Sequence, residues 1–168
     1  TKRIVLYDTL LNSHSHDEIL AILAHEIGHW KKRHILMQLA FMETASLAVF
    51  YLAYRLIDWP LPYQTFGFEQ PVAYAGLLLL AAIFGPLAFF LTPLGTAALR
   101  RFERQADHYS YILTGSTQPL RNALKRLAKD NLANLHPHPL YAWFYYSHPP
   151  LTERILRLRD METRQKAP

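Results

Sequence analysis

The chain has 168 residues, enough for one domain with its own core, and no cysteine, so disulfides and thiolate metal sites are excluded and any metal must be held by imidazole and carboxylate. Its net charge of +5 is interleaved with apolar segments rather than gathered on an aromatic-basic face, which argues against nucleic acid and for a membrane surface. Half of the residues are hydrophobic but the mean hydropathy is near zero, so the apolar residues must be concentrated in particular stretches.

Arg3 to Tyr7 is a short β-prone run, ended by polar residues up to His16. Ser15 and Glu18 stand at capping-box spacing, and the pattern beyond predicts a helix from about Asp17 to His34, with Ile19, Ile22, Leu23 and Ile27 on its buried side. That helix carries His25-Glu26-Ile27-Gly28-His29. Residues four apart share a helical face, so His25 and His29 can present two imidazoles to one metal ion. Glu26 beside them is placed to take a proton from water at that metal. This is the H-E-x-x-H arrangement of zinc peptidases. With nine His and seven Glu, chance produces it in roughly 2% of such chains. The bland alternative is an exposed His-rich helix.

Two apolar stretches follow, residues 36–57 and 71–99, and the second contains no charge at all. About 20 apolar residues are needed to span a bilayer, so the expectation is a transmembrane hairpin. Buried core helices broken at Gly85-Pro86 and Pro93 are the alternative. Between the stretches, Trp59, Pro60, Pro62, Tyr63, Phe66 and Phe68 form an aromatic loop suited to a membrane interface. Lys31, Lys32 and Arg33 precede the hairpin and Arg100, Arg101 and Arg104 follow it, which puts both outer ends on the cytoplasmic face.

Past the hairpin the helix is expected to continue to about Thr114, before Gly115. It carries Glu103 and Asp107, again four apart. Two His hold zinc poorly, so Glu103 is the candidate third ligand, with Asp107 orienting a ligand, His25 above all. His108 is the spare candidate, and a surface pairing of Glu103 with Arg100 or Arg101 is the bland one. A further helix follows Ser116 and Thr117, with Leu120, Leu124 and Leu127 on one face. His136 to Pro139 reads as a rigid loop, and Tyr141 to Tyr146 as strand, helix end or membrane-contacting surface. A last helix carries Leu151, Ile155 and Leu158, with fraying expected beyond Glu162.

HEIGHW, two apolar segments, ERQAD and YSHPPLTER, in that order, resemble the type I CaaX prenyl endopeptidases and their bacterial relatives over nearly the whole chain. These are integral-membrane glutamate-zincins that remove the last three residues of a prenylated C-terminal motif. The resemblance implies His25, His29 and Glu103 as Zn2+ ligands and Glu26 as catalytic base. It also implies His148 as an active-site His donating to the oxyanion, and Arg154 as a binder of the substrate's terminal carboxylate. The family's earlier transmembrane helices have no counterpart in this sequence, which begins at Thr1 as a C-terminal catalytic fragment would.

The expectation is therefore a mainly α, zincin-like helical core forming a single domain over 1–168. A short N-terminal strand precedes it, and the two-helix transmembrane hairpin is inserted between the zinc-binding helices. It would be a zinc endopeptidase acting on a peptide or protein substrate, prenylated or not, at a lipid bilayer and without nucleic acid. A general membrane quality-control protease is the near rival, and a non-catalytic membrane interaction module the distant one.

Overall fold

A computed structural model describes residues 5, 6 and 8–166, with side chains placed up to residue 164. The described residues form eight helices and no strand. Arg3, Ile4 and Tyr7 of the expected strand lie outside the described residues, and Val5 and Leu6 belong to no regular element. Two units divide the chain, one made of Thr1–His34 with Gly95–Pro168, the other of Ile35–Leu94.

In the first unit the polar residues before His16 form a short helix, α1 (Asp8–Ser13), followed by α2 (His16–Lys31). Ser15 starts α2 as expected: its hydroxyl accepts from the Glu18 amide at 3.3 Å, and the Glu18 carboxylate accepts from the Ser15 amide at 2.8 Å. Two amides that the first turn leaves without helical partners are thereby satisfied. The helix stops three residues short of the expected His34. Arg33 takes a left-handed conformation (φ 57°), and His34 begins a new helix.

The buried face of α2 also differs from expectation. Ile19, Ile22, Leu23 and Ile27 are only partly buried; the buried residues are Glu18, Ala21, Ala24, His25 and Gly28. Small residues win because this face meets a neighbouring backbone closely, and bulk would hold the two apart. Ala21 packs with Leu120 of α6 (Gln118–Asp130) and Leu158 of α8 (Leu151–Lys166), flanked by Leu124 and Met161. Glu162 joins the same two helices, accepting from the Thr117 hydroxyl at 2.7 Å and from Arg121 at 3.3 Å. α8 runs on to Lys166, past the expected fraying point. The aromatic run becomes α7 (Pro139–Tyr145), and the buried Arg100 caps its end by donating to the Tyr146 carbonyl at 2.6 Å.

In the second unit α3 (His34–Leu56) is joined by α4 (Pro60–Thr65) to α5 (Ala73–Thr114), whose C-terminal part from Gly95 belongs to the first unit. The aromatic loop is partly a plug. Tyr63 is buried with Ala75 and Leu79, its hydroxyl donates to the Ile57 carbonyl, and Gly76 leaves the room that its ring occupies. Trp59 and Phe66 stay exposed. Both α3 and α5 are long and apolar enough to cross a membrane, with 0% and 17% of their most apolar windows buried within the chain. Apolar side chains such as Phe41, Phe50, Leu78 and Phe90 thus face outward, where the alternative of core helices required them inside. Pro86 and Pro93 sit within α5 without ending it, as hydrophobic helices allow.

Burial raises the Glu18 carboxyl, but the Ser15 amide and Arg126 outweigh it and leave the group below its usual range. A lowered carboxyl stabilises the fold above its unfolded-state value and loses that contribution as pH falls through the folded-state value. Replacing Glu18 with Gln should therefore cost stability near neutral pH, and thermal melts should show less of that cost under acid conditions that protonate Glu18 in the parent.

A candidate metal centre between two helices

The site begins with how closely α2 approaches α5. Gly28 lies against Ala106: a Cβ on residue 28 would stand 3.0 Å from Ala106 Cα and 3.0 Å from Tyr109 Cβ. One turn along the interface, the buried Ser110 hydroxyl donates to the Ala21 carbonyl at 2.8 Å. Residues on the facing surfaces of the two helices are thus brought within side-chain reach. From α2 these are His25 and His29, and from α5 Glu103 and Asp107.

His25, His29 and Glu103 offer one ligand atom each, all within 4.8 Å of one another. His25 Nε2 lies 3.2 Å from His29 Nε2, and Glu103 Oε1 lies 3.3 Å from His29 Nε2. Glu103 Oε2 is buried without a hydrogen-bond partner, 3.6 Å from His25 Nε2. Its one ion-pair contact with a guanidinium, Arg154 Nη2 at 3.4 Å, lacks hydrogen-bond geometry, and a buried carboxylate oxygen without a hydrogen bond costs about 1–3 kcal/mol. Two imidazoles and a carboxylate converging on such an oxygen suit a divalent first-row ion, so the donor set fits a metal. In the metal-free chain the His29 ring is raised above its ordinary pKa, chiefly by its hydrogen bond to Glu103.

Asp107, 1% exposed, is shared between His25 and Arg154. Its Oδ1 accepts from His25 Nδ1 at 3.0 Å, which leaves Nε2 as the lone-pair side of that ring. The same carboxylate takes Arg154 bidentately, Oδ2 from Nε at 2.7 Å and Oδ1 from Nη2 at 2.6 Å. Arg154 Nη2 also lies 3.4 Å from Glu103 Oε2. Burial lowers the guanidinium's pKa, but Asp107 and Glu103 more than reverse that, and the group stays charged. Sequence reading gave Arg154 a substrate's carboxylate to bind and missed this internal partner 47 residues away.

His148, on the segment between α7 and α8, brings Nε2 to 3.3 Å from Glu103 Oε1, and its Nδ1 lies 3.0 Å from the Ser147 hydroxyl. Its side chain is 64% exposed, unlike those of the other three. Glu26 is exposed beside the cluster, near enough for its charge to raise the His29 ring. The spare candidate His108 is elsewhere: it is exposed and lines a surface cavity with Arg157, Asp160, Met161 and Arg164.

Known proteins resemble this chain in sequence and fold. The family model of Peptidase family M48 matches residues 1–162. The chain is 37% identical to the CAAX prenyl protease 1 of Saccharomyces cerevisiae, over 99% of this chain and 40% of that protein. It is 36% identical to the uncharacterized metalloprotease YhfN of Bacillus subtilis, over 99% of this chain and 39% of the other. The crystal structure of S. mikatae Ste24p superimposes with a TM-score of 0.76 at 37% identity, covering 93% of this chain and 38% of that one. The chain thus spans about 40% of the length of the curated relatives it matches.

Gly28 is the sharpest point at which to test the helix approach. Gly28→Ala should cost about 1–3 kcal/mol by overpacking against backbone that cannot yield locally. It should also weaken metal binding, read by melting and metal titration of the same sample. Gly95→Ala, where a Cβ meets nothing within 4 Å, should leave both unchanged or raise stability slightly.

Proposed function

The chain belongs to peptidase family M48, and from that premise we propose that it is the metal-holding part of a membrane zinc endopeptidase cutting prenylated CaaX-type substrates near their C-terminus. The carrying observation is the convergence of His25, His29 and Glu103 on one point, with a buried carboxylate oxygen that takes no hydrogen bond among them and Glu26 adjacent. The chain is a membrane protein, with two helices long and apolar enough to cross. We place its site at the cytoplasmic face, because basic residues 31–33 and 100, 101 and 104 flank the hairpin at both outer ends.

His25, His29 and Glu103 would hold the ion. Zinc, when bound, supplies Lewis acidity toward a scissile carbonyl and toward water. The chain's own groups do the rest. Glu26 takes a proton from the attacking water and passes it to the leaving amine. His148, exposed and on the Glu103 side of the cluster, donates to the oxyanion, a contribution of about 2.7–4 kcal/mol where such donors have been removed. Asp107 holds His25 with Nε2 toward the ion. Arg154 presents its remaining face, beyond the Nε and Nη2 engaged by Asp107, to the substrate's terminal carboxylate.

The name of the S. cerevisiae relative, CAAX prenyl protease 1, supports the CaaX reading. The B. subtilis relative carries only the name of a metalloprotease and keeps a broader membrane protease in view. Peptide products from a farnesylated CaaX peptide, its unprenylated twin and an unfolded protein separate the two. Release of a C-terminal tripeptide mainly from the prenylated peptide supports the CaaX reading; equal or broader cutting replaces it with a general protease.

Glu26→Gln should retain stoichiometric zinc while abolishing turnover, whereas hydrolysis at the parent rate would remove Glu26 from the base role. Amidating the substrate's C-terminus should raise KM and leave kcat little changed if Arg154 meets that carboxylate. This tests the contact without breaking the buried Arg154–Asp107 pair, whose disruption costs about 3–5 kcal/mol by itself.

A further inference from the structure

We infer that His34 and Gln105 form a positioning pair that fixes which nitrogen of His29 faces the metal. The inference rests on the reading of His29 as a ligand. His34 Nε2 lies 2.9 Å from Gln105 Oε1, and His34 Nδ1 lies 3.1 Å from His29 Nδ1. His34 is fully buried and stacks on Phe102, with ring centroids 4.3 Å apart and planes 14° from parallel. All four residues belong to the first unit.

The hydrogen positions follow from the partners. Gln105 Oε1 can only accept, so the His34 proton sits on Nε2 and leaves Nδ1 as an acceptor. His29 must then donate from Nδ1, which leaves Nε2 as the nitrogen toward His25 and Glu103; it donates to Glu103 Oε1 here and is the nitrogen an ion would take in place of that proton. The opposite set of protons would tie the ring's one hydrogen to Nε2, which an ion could displace only by forming an imidazolate. The ring so held is the counterpart of His25, whose Nδ1 is held by Asp107. Each ligand imidazole thus has its own partner on the far nitrogen, as metal-bound His requires.

The backbone is shaped for this contact. On a continuous helix, residues five apart point roughly 140° away from each other, so His34 could not reach back to His29. The break after Lys31 makes the reach possible, and it puts Arg33 at φ 57°, a region that non-glycine residues enter at a cost. A chain that only needed to join two helices had less strained ways to do so.

The test is zinc affinity, measured by chelator competition in detergent on folded protein, together with the His34 tautomer from 15N chemical shifts. His34→Ala and Gln105→Leu should each weaken zinc about 10–100-fold. Gln105→Glu, close in size to Leu but an acceptor, should bind zinc at least as well as the parent. His34 in the metal-free parent should carry its proton on Nε2. If His34→Ala fails to fold, the Gln105 comparison and the tautomer decide. Gln105→Leu binding zinc within twofold of the parent, or a His34 proton on Nδ1, overturns the inference. A parent that binds no zinc at all overturns the reading of the site itself.

Discussion

Everything at the site depends on two helices being allowed to touch. Leu or Ile at position 28 would hold α2 and α5 apart by the thickness of a side chain, and three donor atoms would no longer share one point. The helix therefore gives up apolar bulk on the face that matters most and uses Ala21, Ala24 and Gly28 there. The Ser110 hydroxyl on the Ala21 carbonyl adds a directed contact to an interface with little area to bury. Stability lost by that choice is recovered below, where Leu120, Leu158, Leu124 and Met161 close over Ala21.

A close approach also concentrates charge. Glu103 and Asp107 are both buried on one helical face, and Arg154 Nη2 meets both, Asp107 at 2.6 Å and Glu103 at 3.4 Å. Arg154 satisfies Asp107 through two hydrogen bonds and leaves Glu103 Oε2 unsatisfied. The two carboxylates are therefore not equivalent, although the sequence spaces them symmetrically about one helical turn. One takes two charge-assisted hydrogen bonds from Arg154; the other has only a 3.4 Å ion-pair contact with it and keeps an oxygen that no donor meets.

Local rules were readable from the sequence to the extent that they are local. The Ser15–Glu18 box, the His25–His29 pair and the end of α5 before Gly115 each follow from spacing within one turn, and each is present. Glu103 needed more, because nothing near it in the chain distinguishes a ligand from a surface partner of Arg100 or Arg101; the distant His pair, one ligand short of a site, singled it out, the resemblance agreed, and the fold brings it to the two His. Contacts across 47 and 71 residues, Arg154 to Asp107 and His34 to Gln105, have no local signature. The burial of α2 was misjudged for a related reason. Counting apolar residues finds the greasy side of a helix, whereas this helix packs most tightly on its small side.

The donor atoms are two imidazole nitrogens and carboxylate oxygen, with no sulfur among them. Thiolate centres are lost to peroxide or disulfide exchange, because the ligand itself is the reactive nucleophile. Nothing here offers that reaction. What removes an ion from this centre is acid, which protonates the ring nitrogens, or a competing chelator. A metal held by these residues would thus be exposed to acidity and metal supply rather than to oxidation of its ligands.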